Sequence, residues 1–151
     1  MFKIRELKAS DANRSYPLVS FRYPGISLER WAGFVTDPAR RGACGTLICL
    51  VDSRDSVHAV FAYGLERSAT NENLLHVEHI ATFRLAGDAI YRAFDEAVEK
   101  IAHEWKCREI CVVPWSGVDP QEGPPVAPED VALGRRILSI APASQERGPL
   151  N

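Results

Sequence analysis

Apolar and polar positions along this chain fall into runs whose period changes several times, and each change marks a predicted element. From Phe2 to Leu7 the two classes mostly alternate, which predicts a short strand. Ala9-Ser10-Asp11 offers a helix N-cap, and the weakly periodic segment after it stops near Tyr23-Pro24-Gly25. Ser27 is the next N-cap. Leu28, Trp31, Phe34 and Val35 recur at helical spacing behind it, and Asp37-Pro38 closes that helix. Gly45 to Val51 is nearly all apolar, as a strand covered on both faces would be. The turn Asp52 to Ser56 leads into Val57 to Glu66, so the two runs form a hairpin. The polar stretch Ser68 to Asn73 then connects to a further strand, Leu74 to Phe83.

The strongest helical signal follows. Ile90, Ala93, Phe94, Ala97, Val98, Ile101, Ala102 and Trp105 make one continuous apolar stripe. The opposite face pairs Asp88 with Arg92 and Glu96 with Lys100 at the favourable acid-before-base spacing. Ile110 to Pro114 reads as a short buried strand. Ser116 to Pro128 holds four prolines and two glycines, which makes an extended segment. Glu129 to Ile140 is expected to be a short helix with Leu133, Ile137 and Ile140 inward, weakened by Gly134, and the tail from Pro142 is expected to be disordered. Residues 1–115 therefore form the domain proper, and residues 116–151 a proline-rich segment, weak helix and flexible tail. The element order gives an α+β layered domain with a mixed, mostly antiparallel sheet flanked by helices. The strand Leu74–Phe83, the long helix and the last strand form a βαβ unit. Such a unit places the helix N-terminus at the carboxyl end of its first strand, where ligands bind.

Composition changes little in this picture. The chain has 151 residues, 46% hydrophobic and 25% charged, which suits one globular domain. A net charge of -2 supplies no basic field for nucleic acid or for an anionic membrane surface. No run approaches the roughly 20 apolar residues of a membrane span, and the charged N-terminus lacks a signal-peptide core. A soluble, cytoplasmic protein is expected. Cys44, Cys49, Cys107 and Cys111 match no usual zinc spacing, so reduced, structural thiols and no metal are expected. Trp31, Phe34, Phe94 and Trp105 read as core aromatics, while Trp115 could line a pocket. His58 and His103 read as residues without partners, and Arg40-Arg41 as a solvated turn.

The candidate chemistry lies where the strand Leu74–Phe83 meets the long helix. Arg84-Leu85-Ala86-Gly87-Asp88-Ala89 keeps side chains small at Ala86, Gly87 and Ala89. The first N–H groups of any helix lack intrahelical partners and carry about half a positive charge. Phosphate can therefore approach the backbone there, and Arg84 can add a charge-assisted hydrogen bond.

At these residues the chain resembles the GCN5-related N-acetyltransferases. Their acetyl-CoA signature is Gln/Arg-x-x-Gly-x-Gly/Ala, which Arg84 to Ala89 fit. The opening Ile4 to Asp11 also looks like that family's first strand and its turn into helix 1. The resemblance implies an acyl-CoA N-acyltransferase-like fold with a reduced C-terminal half, and acetyl transfer from acetyl-CoA to a small-molecule or protein amine. It also implies a bulged fourth strand whose backbone at Ile80, Ala81, Thr82 and Phe83 holds the pantetheine arm, beside a gap where the fourth and fifth strands splay apart. A carboxylate on that strand serves as base in such proteins. Glu78 is the first candidate, His79 the second and Glu72 the third. Alternation puts His76, Glu78 and Ile80 on one side of the strand, and Val77, His79 and Ala81 on the other. No tyrosine follows the fifth strand to act as general acid. Water can protonate the leaving thiolate instead. The alternative is a catalytically silent domain that binds CoA or a protein partner. The reduced C-terminal half leaves sheet edge on which a second copy could pair as a homodimer.

Overall fold

The apolar run ending at Val51 and the run starting at Val57 pair as the hairpin their spacing predicts. A computed structural model of the chain describes residues 2–42, 44–67, 69–83, 88–115, 117 and 134–137, with the backbone alone for 88 and 134–137. Its strands are β1 (Lys3–Glu6), β2 (Thr46–Val51), β3 (Val57–Arg67), β4 (Asn73–Thr82), β5 (Glu109–Pro114) and β6 (Gly134–Ile137). Its helices are α1 (Ala12–Arg22), α2 (Leu28–Thr36) and α3 (Asp88–Glu104). One sheet carries all six strands in the order β1-β2-β3-β4-β5-β6. Neighbours are antiparallel except β4 and β5, which run parallel because α3 crosses between them. Among the described residues no helix is long and apolar enough to cross a membrane.

Local chemistry sets the turns. The Asp52 carboxylate accepts the Arg54 and Ser56 N–H groups at 2.8 and 3.0 Å, which closes the β2–β3 turn. The same carboxylate holds His58 Nε2 at 2.8 Å, so His58 has the partner its sequence context did not show. Ser27 Oγ accepts the Arg30 N–H at 3.1 Å and caps α2 as expected. Arg41 is no solvated turn residue. Its guanidinium donates to the Phe34, Val35 and Gly45 carbonyls at 2.9, 2.9 and 3.0 Å and so closes the C-terminal end of α2. Asp11 precedes α1, but its side chain accepts the Lys8 N–H at 2.8 Å and two bonds from Arg5, at 2.8 and 2.9 Å. The Arg5 guanidinium holds that buried carboxyl below the usual carboxylate range.

Each sheet face has its own core. On one, α1 and α2 bury Val19, Trp31, Phe34 and Val35 against Leu47, Cys49, Val60, Ile80 and Trp115. On the other, the α3 stripe buries Ile90, Phe94, Val98 and Ile101 against Phe61, Leu75, Val77 and Ile110. Each such side chain contributes roughly 1.5–3 kcal/mol when fully buried. Trp105 departs from the expected stripe and is 49% exposed. The helix ends at Glu104, Lys106 turns the chain with φ 56, and the Cys107 N–H returns to the Ala102 carbonyl at 2.8 Å. That is a left-handed C-terminal cap, and Trp105 stands in the last turn before it. Trp115, at 3% exposure, belongs to the core instead of lining a pocket. Its ring packs on Tyr23, Trp31 and Phe34 with centroids 4.9, 5.8 and 5.2 Å apart.

The expected weak C-terminal helix is corrected. Gly134–Ile137 pairs antiparallel with β5, Glu109↔Ile137 through Val112↔Gly134. The open edge of β5 offers unpaired N–H and C=O groups, and pairing with them outweighs a helical propensity already lowered by Gly134. The remainder of residues 116–151, apart from Gly117, lies outside the described residues.

Candidate active site

A single irregularity in β4 shapes the site. Across the β3–β4 pair, Val60 faces Ala81 while Phe61 faces His79, so Ile80 is an extra residue. This β-bulge bends the strand and breaks its alternation. Ile80 and Ala81 consequently both join the core under α1 and α2. Ala81 does not share the face of Val77 and His79, as strict alternation had it.

The bulge coincides with the end of β4–β5 pairing. The parallel register runs from Leu74↔Glu109 to His79↔Pro114, and the Trp115 N–H donates to the His79 carbonyl at 2.9 Å. Ile80 to Thr82 continue beside β3 alone, with no β5 partner among the described residues. Their β5-side edge therefore has no strand partner among the described residues. Ile80, Ala81 and Thr82 are buried and Phe83 is exposed. Arg84, Leu85, Ala86 and Gly87 lie outside the described residues. Asp88 opens α3, its side chain outside the description, and Ala89 is exposed in the first turn.

The three base candidates separate clearly. Glu78 is half-buried in mid-sheet, opposite Ala62 on β3 and Val113 on β5, two residues before the bulge. Its face is that of α1 and α2. Burial pushes its carboxyl pKa up, and His76 partly opposes the shift. His79 points the other way, against the Phe94 ring at 5.3 Å, and is 1% exposed. Its Nε2 is hydrogen-bonded to the Thr82 hydroxyl. Burial, with Arg22 adding to it, drops its pKa to about 3. His79 is thus a neutral imidazole walled off from solvent. Glu72 precedes β4 and is tied to Arg108 Nη1 at 2.7 Å. Eight residue steps along the strand, about 26 Å of chain, separate it from Ile80.

Two further features were not legible in the sequence. Cys44 reaches across the sheet face, so that its Sγ, a His76 ring nitrogen and a Glu78 oxygen lie within 4.8 Å of one another. Of the spacings that carry this group, only the His-x-Glu alternation is local. Arg22, the last residue of α1, is 7% exposed, and its Nε and Nη1 have no hydrogen-bond partner among the described residues. The guanidinium lies 5.7 Å over the Tyr23 ring. Tyr23 in turn donates to the Trp115 carbonyl at 3.0 Å, which places Arg22 beside the point where β5 leaves β4. Two buried guanidinium nitrogens without an acceptor are costly. Arg22→Met is therefore expected to raise stability of the ligand-free protein by about 1–2 kcal/mol, read as a higher urea midpoint at unchanged m. A lower midpoint would mean that the guanidinium is already compensated.

The backbone as a whole matches solved acetyltransferase structures. A ribosomal-protein-alanine N-acetyltransferase from Brucella melitensis biovar Abortus 2308 superposes with a TM-score of 0.61 at 15% identity, over 76% of this chain and 81% of that one. Glucosamine-6-phosphate N-acetyltransferase from Arabidopsis thaliana gives 0.55 at 14% identity, over 89% and 97%. An aminoglycoside N-acetyltransferase in complex with CoA gives 0.56 at 11% identity, over 75% and 76%. No protein-family model and no curated protein matches the sequence. At these identities the likeness shows the fold alone, an acyl-CoA N-acyltransferase-like α+β fold, as the element order led one to expect.

Proposed function

We propose that this protein is an acetyl-CoA-dependent N-acetyltransferase acting on an amine that enters the gap between β4 and β5. The observation that carries the reading is the conjunction at the bulge. Backbone groups of Ile80 to Thr82 lie past the last β4–β5 pair, and Glu78 stands two residues away on the same face as Ile80. In this reading the free β4 edge hydrogen-bonds the pantetheine arm. The backbone from Arg84 to Ala89, at the start of α3, receives the pyrophosphate. Glu78 takes a proton from the acceptor ammonium, directly or through one water. The amine nitrogen then attacks the thioester carbonyl to form the C–N bond and gives up its second proton to water, the C–S bond breaks, and CoA leaves as a thiolate that water protonates. A backbone N–H facing the carbonyl oxygen would stabilise the charge that develops there. Buried Arg22, whose Nε and Nη1 have no hydrogen-bond partner among the described residues, favours an acceptor that carries a negative group near its amine.

Thermal unfolding with and without millimolar acetyl-CoA tests the cofactor half of the proposal. At about 100 times its dissociation constant a ligand stabilises the folded state by roughly 2.7 kcal/mol. A raised midpoint is expected, and its loss in Gly87→Glu, where bulk and charge would fill the cradle. No shift would mean that Arg84 to Ala89 are only a helix start. CoA release on adding an amine separates an enzyme from a silent CoA-binding domain.

A further inference from the structure

The geometry points to a transition-metal site of the zinc type formed by Cys44, His76 and Glu78, on the α1/α2 face of β4. Three donors of different chemistry, a sulfur, an imidazole nitrogen and a carboxylate oxygen, converge within 4.8 Å of one another. Ligands of a tetrahedral zinc ion stand about 3.3–3.7 Å apart, given metal–ligand bonds of about 2.0–2.3 Å. Closing this set therefore takes side-chain rotation and no change of fold. The mixed S/N/O set selects a borderline ion such as Zn²⁺ over Mg²⁺ or Ca²⁺, which prefer oxygen alone.

The surroundings fit the same reading. Cys44 forms the floor of the group at 3% exposure, and its thiol rests against the His76 carbonyl at 3.7 Å. His76 and Glu78 are half-buried and form the solvent side. Glu66 Oε2 lies 3.8 Å from His76 Nδ1, a second carboxylate that can orient the ring and adds negative charge nearby. Gly45, next to Cys44, has open space where a side chain would stand. Without a metal, burial and the two glutamates push the Cys44 thiol up to about 12, so the free site keeps its proton. Binding replaces that proton with the ion: an S–metal bond forms, the proton passes to solvent, and nothing is oxidised or reduced. Three protein ligands leave a fourth position for water. If Glu78 is the base proposed above, metal occupancy takes its lone pair out of service and inhibits turnover. That consequence alone rests on the acetyl-transfer reading.

Titration of the reduced full-length chain with Co²⁺ alone, in the absence of acetyl-CoA, tests the site whatever the protein's activity. The expected result is a thiolate-to-cobalt charge-transfer band that saturates at one equivalent, is displaced by Zn²⁺ and is absent in Cys44→Ser. Because Cys44 is buried, His76→Gln gives a second arm: the band should persist while cobalt affinity falls at least tenfold. Absence of the band in wild type, or a band unchanged in both variants, would overturn the assignment.

Discussion

Between about pH 6.5 and pH 4.5 the protein is expected to lose roughly 1.4 kcal/mol of stability per pH unit, and His79→Gln to abolish that slope. The main cause is one residue. In the unfolded chain a histidine binds its proton near pH 6.5, whereas in the fold burial pushes the His79 imidazole down to about 3, helped by the positive charge of Arg22. Above pH 6.5 neither state carries the proton and His79 contributes no pH dependence. Below it the unfolded state binds a proton that the folded state refuses, so stability falls with pH until His79 itself titrates near 3. By pH 5 the loss is about 2 kcal/mol, a large share of the roughly 5–15 kcal/mol that holds a domain together. Glu78, whose pKa burial raises, binds its proton in the fold before the unfolded chain does and offsets part of that loss towards pH 4.5; the carboxylates with lowered pKa act later. The lowered pKa of Asp11 stabilises the fold above about pH 4, and that contribution fades only as pH falls further. Urea unfolding of wild type and His79→Gln at several pH values from 7.5 to 4.5 isolates the histidine by difference, and glutamine can keep a hydrogen bond to Thr82. Parallel profiles would mean that water reaches the ring and that His79 is not the walled-off group described here.

His79 also shows where sequence reading reached its limit. Alternation correctly put Glu78 and His79 on opposite sides of β4, but both sheet faces are covered, so nothing local said which residue would be sealed. Periodicity located β2, β3, β4 and α3 within a residue or two, because their signals are local: a hairpin turn closed by Asp52 and an uninterrupted apolar stripe from Ile90. The bulge at Ile80 left no local trace, since neither Ile80 nor Ala81 is a glycine and the extra residue is visible only against β3. Strand β6 depends on the free edge of β5, contact information that a four-residue stretch, Gly134–Ile137, does not hold. The approach of Cys44 to His76 and the stranded guanidinium of Arg22 are likewise products of how α1, α2 and the sheet stack. The motif Arg84–Ala89, which first pointed to the fold, is a loose string by itself. Its weight comes from standing between a bulged strand and the longest helix.

Glu78→Gln is expected to lower kcat/KM for acetyl transfer by about 10²–10⁴ while acetyl-CoA binding is retained. The substitution keeps the size of the side chain and removes its basicity. Burial already raises the Glu78 pKa, which improves its match to a proton transfer near neutral pH. In the wild type the acid limb of the pH–rate profile should follow this group, and in Glu78→Gln that limb should disappear along with most of the rate. Unchanged thermal stabilisation by acetyl-CoA would show that the cradle and the β4 edge are intact, so that the loss lies in the chemical step. His79→Gln provides the contrast: because His79 faces α3 behind the sheet, its replacement should leave turnover near pH 7.5 within a fewfold of wild type. The reverse pattern, with full activity in Glu78→Gln and a large loss in His79→Gln, would require the acceptor to approach from the α3 side. The reaction would then be moved to the other face of the sheet, away from Arg22 and from the metal-capable group at Cys44.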